Sequence, residues 1–103
     1  MHRKAIAGSY QRTACTAVKA MADLIGASFI NSDGAPIVTV RYAVLQAEAQ
    51  TLRYTVDGTA PTASLGHTLA AGAMVTLMPA ELRAIKVLEA TAGGFANITL
   101  YSS

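Results

Sequence analysis

Short stretches in which apolar and polar residues alternate recur over the second half of the chain, and turn residues separate them. Alternation with a period of two is typical of a half-buried β-strand. The pattern predicts strands at residues 37–47, 52–56, 67–69, 74–78, 82–90 and 95–101. No strong helical pattern lies between them, which argues against a parallel α/β sheet. We therefore predict an all-β fold, a small β-sandwich or a partly closed barrel.

The first of these stretches, residues 37–47, is rich in β-branched residues. Its two faces carry Val38, Val40, Tyr42 and Val44 on one side and Thr39, Arg41 and Ala43 on the other. The aromatic residues are spread singly along the chain, and most of them fall on faces that we assign to the core.

Residues 1–34 have a weaker pattern, and we predict an extended N-terminal arm followed by a first strand or helical turn. Residues 11–25 contain both a β-branched pattern and a helical spacing. The residues concerned are Thr13, Thr16 and Val18 for the strand, and Val18, Met21, Ala22 and Ile25 for the helix. We favour a strand through residues 13–18. We expect either the chain's own body or another subunit to hold the arm, and we favour another subunit.

A cluster of turn residues at positions 31–36 separates this region from a sandwich body formed by residues 35–103. Residues 52–69 are the segment whose order is most constrained. Asp57 and Gly58 favour a tight reversal, with the Asp57 carboxylate accepting hydrogen bonds from the backbone ahead of it. Pro61 makes the exit from the turn stiff.

The second part of that segment predicts a capped half-turn. Thr62 is suited to cap a short turn, and Gly66 is suited to end it in a left-handed conformation. We expect His67 to form a hydrogen bond across the turn.

The run Tyr-Thr-Val-Asp-Gly-Thr-Ala-Pro-Thr, continuing to Gly66-His67-Thr68-Leu69, resembles a segment of small virion structural proteins of tailed bacteriophages. The resemblance covers residues 38–100, roughly. It implies an immunoglobulin-like β-sandwich in which the motif residues have structural roles; they are Tyr54, Asp57, Gly58, Pro61, Gly66 and His67. The shorter run also resembles immunoglobulin-like modules appended to chitobiase-type glycosidases.

Charge is sparse, with a formal net charge of +2, and it is unevenly placed. Arg3, Lys4 and Arg12 precede the first acidic residue, Asp23, so the arm is basic. We predict that these three cations bind an acidic protein surface or remain solvated. We do not expect nucleic acid as a partner, since these cations are few and scattered.

Residue types suited to catalysis are few and scattered. No two carboxylates have a spacing that neighbouring strand or helix positions would bring together, and glycosidase chemistry needs such a pair. The two histidines, His2 and His67, show no metal-ligand spacing. We predict no catalytic residue, no metal site and no cofactor, and we expect the single cysteine, Cys15, to be a small buried hydrophobe.

No apolar run is long enough to span a bilayer, and no secretory signal is recognisable, so we expect synthesis in the host bacterial cytoplasm. The resemblance implies a non-enzymatic virion protein that decorates the capsid. Its expected partners are capsid, neck or tail subunits, and we expect it to form a homo-oligomer. Many of the apolar residues are alanine, which predicts a thin core completed by neighbouring subunits. The alternatives are a ring component of the head–tail junction or collar, and a carbohydrate-associated binding module.

Overall fold

The computed structural model describes residues 4–102, and the chain within that range forms two antiparallel sheets of four strands each. The strands are β1 (Gln11–Ala14), β2 (Lys19–Ala20), β3 (Tyr42–Glu48), β4 (Leu52–Thr55), β5 (His67–Leu69), β6 (Met74–Leu77), β7 (Lys86–Glu89) and β8 (Phe95–Tyr101). The helices are α1 (Met21–Ile25) and α2 (Pro79–Ala84), and Ala27–Phe29 forms a 3₁₀ turn.

The first sheet has the strand order β1-β8-β3-β6, and the second has the order β2-β7-β4-β5. The all-β sandwich predicted from the sequence is confirmed. The two sheets remain separate and do not close into a barrel.

Alternate residues of the two central strands of the first sheet form one wall of the core. Each inward position is almost completely buried, and these residues are Ala43, Leu45, Ala47, Ala96, Ile98 and Leu100. Leu52, Leu69 and Val87 of the second sheet are buried opposite them. Burial of each large side chain contributes about 1.5–3 kcal/mol. Leu24 and Leu82, from α1 and α2, extend the same core.

The strand predicted at residues 37–47 is wrong in its first part. The strand starts only at Tyr42, Val38 is 87% exposed, and Val44 is half-buried on the outer face, whereas Leu45 is fully buried. Both faces of this stretch carry apolar residues, so the alternation alone does not select the inner one. The inner face is the one whose small Ala43 and Ala47 flank Leu45.

The strand predicted at residues 82–90 is also wrong in its first part, because residues 79–84 form α2 and only Lys86–Glu89 form β7. Pro79 occupies the first turn of the helix, where its missing N–H costs nothing. The Glu81 carboxylate accepts a hydrogen bond from the Met78 N–H at 2.9 Å, which caps the same end.

Residues 11–25 combine both predicted structures. The chain leaves the first sheet after β1, enters the second at β2 and continues directly into α1. The strand favoured through residues 13–18 is therefore wrong beyond Ala14, because residues 15–18 lie between β1 and β2. Cys15 lies in the connection between β1 and β2 and is fully buried, as predicted. The Asp23 carboxylate accepts the Ala20 N–H at 3.0 Å and thereby favours the start of the helix.

The described part of the N-terminal arm, residues 4–9, folds back along β8 of its own chain, and the contact with another subunit that we favoured stays a prediction. The Ile6 N–H donates to the Leu100 carbonyl at 2.8 Å, and the Ser102 N–H donates to the Lys4 carbonyl at 2.9 Å. Ser9 is fully buried, and its hydroxyl accepts the Leu100 N–H at 3.1 Å. Arg3 lies outside the described residues.

Candidate functional site

The loop between β4 and β5, residues 56–66, contains most of the motif and is fixed by its own hydrogen bonds. Asp57 accepts the Thr59 N–H at 3.0 Å, and Gly58 adopts a φ of 87°. The buried Thr55 hydroxyl donates to the Thr59 carbonyl. The hydrogen bond expected at the Asp57 carboxylate and the positive φ expected at Gly58 are therefore confirmed, but the chain bends there and returns as β5 only at His67.

The second half of this loop is a closed turn that begins at Thr62. The Thr62 N–H donates to the Leu65 carbonyl at 3.0 Å, and the Leu65 N–H donates back to the Thr62 carbonyl at 3.3 Å. The Thr62 hydroxyl accepts the Ser64 N–H at 3.3 Å, as a capping residue does. Gly66 ends the turn with a φ of 121°, and Pro61 is buried beneath it.

Arg53 holds the outer part of the loop, a role that was not predicted from the sequence. Its guanidinium donates to the carbonyl of Ala63 at 3.3 Å and to that of Gly66 at 3.0 Å. An arginine that donates to two carbonyls fixes their relative position, because its donors form a rigid fork. The signal was available, since Arg53 lies directly before the Tyr54-Thr55 pair that opens the motif.

His67 packs against the ring of Tyr54, and the hydrogen bond across the turn that we expected is not among its described contacts. It lies opposite Tyr54 across β4 and β5, with ring centroids 5.3 Å apart and a tilt of 42°. The imidazole is exposed and borders an open cavity of about 380 Å³, together with Thr55, Asp57 and Leu65. The residues bordering this cavity thus include the imidazole of His67 and the carboxylate of Asp57, and this carboxylate already accepts a hydrogen bond from the Thr59 backbone N–H.

The hydrogen bonds to the Asp57 carboxylate hold its pKa below the usual value. The backbone N–H of Thr59 is the main cause, followed by the Thr59 side chain, while the neighbouring His67 adds a smaller effect in the same direction. These groups favour the ionised form, so Asp57 stabilises the loop when it carries its charge.

We expect replacement of Asp57 with alanine to destabilise the protein at neutral pH and to matter little in acid. A lowered pKa in the folded state gives stability that is complete above the unfolded pKa of about 3.9 and is lost as pH falls through the lower folded value. Urea unfolding of both proteins at pH 7 and at about pH 2 measures the difference. A difference that stays constant between the two pH values would contradict this role of the charge.

Arg12, predicted as a partner-binding residue of the arm, pairs with Glu48 of its own chain. Its guanidinium donates two hydrogen bonds to Glu48 Oε2 and one to Oε1, at 2.8 to 3.1 Å, and lies 3.7 Å from the centre of the Phe95 ring. Asn97 donates to the same carboxylate at 2.9 Å. Arg12 and Asn97 lower the pKa of Glu48 by hydrogen bonding. Lys4, by contrast, is exposed.

The outer face of the first sheet carries an aromatic pair, although we predicted that the aromatic residues are spread singly and lie mostly on core faces. Tyr42 of β3 and Tyr101 of β8 are opposite each other, with ring centroids 4.9 Å apart and an angle of 5° between the planes. Tyr10 is 58% exposed, and its hydroxyl donates to Asn97 of the same sheet.

Groups that could support metal or thiol chemistry are few in the part of the chain that the structure describes. Within residues 4–102, no three His, Cys, Asp or Glu side chains gather where they could hold a metal ion. Burial raises the pKa of the Cys15 thiol to about 11, so the reactive thiolate is scarce at neutral pH. None of the helices described has the length and apolar character needed to cross a membrane.

No family model, no curated protein and no solved structure matches this chain.

Proposed function

We propose that this protein is a non-enzymatic structural component of a tailed-bacteriophage virion, which decorates the capsid by binding head subunits in many copies. The observation that carries the proposal is the loop of residues 56–66. Its sequence contains most of the motif that resembles virion proteins. Side chains of Asp57 and Thr62 form hydrogen bonds within the loop, and Arg53 of β4 donates to two of its carbonyl groups, so these bonds fix the shape of the loop. The exposed residues of such a loop form a rigid contact surface.

A rigid loop binds a partner with a smaller loss of conformational entropy than a flexible one. Leu65 lies on its surface, 53% exposed, and offers an apolar contact beside hydroxyl groups of Thr59, Thr62 and Ser64. Each copy would make a modest contact, and repetition over a capsid lattice would make the layer stable by mass action and multivalency. Expression in the host cytoplasm followed by incorporation into the virion fits this function.

The direct test is the protein composition of purified virions from the phage that encodes this chain. We expect mass spectrometry to find the protein at a fixed, high ratio to the major capsid protein, and immunogold labelling to mark the head. A low copy number with label at the neck would instead support the alternative, a ring component of the head–tail junction or collar. Absence from purified virions would overturn both proposals.

A second proposal, a carbohydrate-associated binding module, rests on the Tyr42–Tyr101 pair. Aromatic rings on a sheet face are the usual platform for a pyranose ring. The two rings lie face to face, so one face of each is covered by the other. Calorimetric titration with N-acetylglucosamine oligosaccharides tests the idea, and a Tyr42→Ala variant that binds them as well as the original protein would contradict it.

A further inference from the structure

Among the described residues 4–102, strand β6 forms an open edge of the first sheet, with β3 as its single neighbour. The Ala47 N–H donates to the Ala73 carbonyl at 3.1 Å, so the main chain of residue 73 points towards β3. Main-chain direction alternates along a strand, so the N–H and C=O groups of Met74 and Thr76 point away from β3. At the next alternate position, Met78, both groups are used by the cap of α2.

The side chains along this edge are apolar and uncharged. Met74 is 65% exposed and Met78 is 54% exposed, and the nearby Val38 is 87% exposed. Residues 68–80 contain no charged residue. Natural edge strands are usually protected from pairing by charges, prolines within the strand or bulges, and β6 has no charge and no proline.

We propose that β6 pairs with β6 of a second copy of this chain, antiparallel and related by a two-fold axis at Val75. This register places Met74 opposite Thr76 of the partner subunit, and the reverse, with both residues on the outer face of a continuous sheet. It joins all the outward main-chain groups of Met74 and Thr76 in four hydrogen bonds between the copies. The inference goes beyond the proposed virion function and does not depend on it.

The contacts beside the strand pair are also complementary. In this register Met78 of the partner subunit lies beside Gly72, where no atom of a described residue beyond the chain neighbours is within 4 Å of the position of a Cβ. The alanine-rich turn of residues 70–73 then approaches an apolar groove of about 680 Å³ on the other copy, which Val38, Tyr42 and Met78 border. No like charges meet along β6, because residues 68–80 are neutral.

The first experiment compares two threonines on the same sheet face. Thr76 of β6 and Thr99 of β8 both lie opposite Val44 of β3, on its two sides, so Thr99→Lys is the matched control for Thr76→Lys. We expect the mass from light scattering to rise with concentration from 10.6 kDa towards twice that value for the original protein and for Thr99→Lys. We expect Thr76→Lys to weaken dimerisation by about tenfold or more.

Two further variants test the strand register. Thr76→Pro removes an outward N–H without breaking the ladder to β3, and it should also abolish the dimer while circular dichroism stays unchanged. An equal mixture of Met74→Cys and Thr76→Cys proteins should form disulfide-linked heterodimers faster than either protein alone forms homodimers, since residues 74 and 76 are paired across the axis. Cys15 is buried and should not compete.

The inference is overturned by any of three results. These are an original protein that stays at 10.6 kDa up to about 1 mM, a Thr76→Lys protein that dimerises as tightly as Thr99→Lys, and disulfide formation without preference for the mixed pair. The protein's presence in virions is a separate measurement, so the two proposals can fail independently.

Discussion

Replacement of Gly66 with alanine should lower the free energy of unfolding by about 2–4 kcal/mol. Gly66 has a φ of 121°, a conformation that residues with a Cβ rarely adopt. An added Cβ would lie 3.2 Å from the Tyr54 carbonyl oxygen and 3.3 Å from the Pro61 Cβ. The Tyr54 backbone belongs to β4 and cannot move without disturbing the sheet. Urea unfolding at neutral pH measures the loss.

Gly58→Ala is the matched control for this change. Gly58 also has a positive φ, 87°, but apart from its chain neighbours no residue in the described range 4–102 has an atom within 4 Å of an added Cβ. We expect the cost there to be about 1 kcal/mol, from the backbone conformation alone. Equal losses in the two variants would show that the close approach of Gly66 to Tyr54 and Pro61 has no energetic importance.

The loop that contains both glycines is the part of the fold most fully predictable from sequence. Its shape depends on local chemistry. The Asp57 carboxylate accepts a hydrogen bond from the Thr59 N–H, and Gly58 adopts the positive φ that the bend requires. Thr62 caps the second turn, and Gly66 ends it. Each of these requirements is met within a few residues, so the residue order is sufficient to indicate it. The His67 contact was missed because it depends on the register of β4 against β5.

Elements that depend on distant contacts were predicted less well. Helix α2 has only six residues, and it forms because Leu82 is buried and Glu81 caps the Met78 N–H. The pattern of apolar and polar residues over so short a segment fits a strand as well as a helix. Likewise, residues 4–9 are held by hydrogen bonds to Leu100 and Ser102, almost the whole chain away, and no local pattern indicates such a partner.

Replacement of Leu45 with alanine should cost about 2–5 kcal/mol, and it tests which face of β3 is the inner one. Leu45 is fully buried at the centre of the first sheet, where β6 and β8 flank it with Val75 and Ile98. Removing its side chain leaves a cavity that these strands cannot collapse to fill, because they are joined to β3 by main-chain hydrogen bonds. Thermal and urea unfolding of the variant measure the loss.

Val44→Ala is the matched control, because it shortens the neighbouring side chain on the opposite face of the same strand. Val44 is half-buried between Thr76 and Thr99, and its loss should cost about 1 kcal/mol or less. The sequence pattern places Val44 on the face with Val38, Val40 and Tyr42, and it does not by itself indicate which face is the inner one. A larger loss in the free energy of unfolding for Val44→Ala than for Leu45→Ala would show that Val44, and not Leu45, lies on the inner face of β3. It would also place Met74 and Thr76 on the inner face, which would remove the outer-face contacts of the proposed dimer.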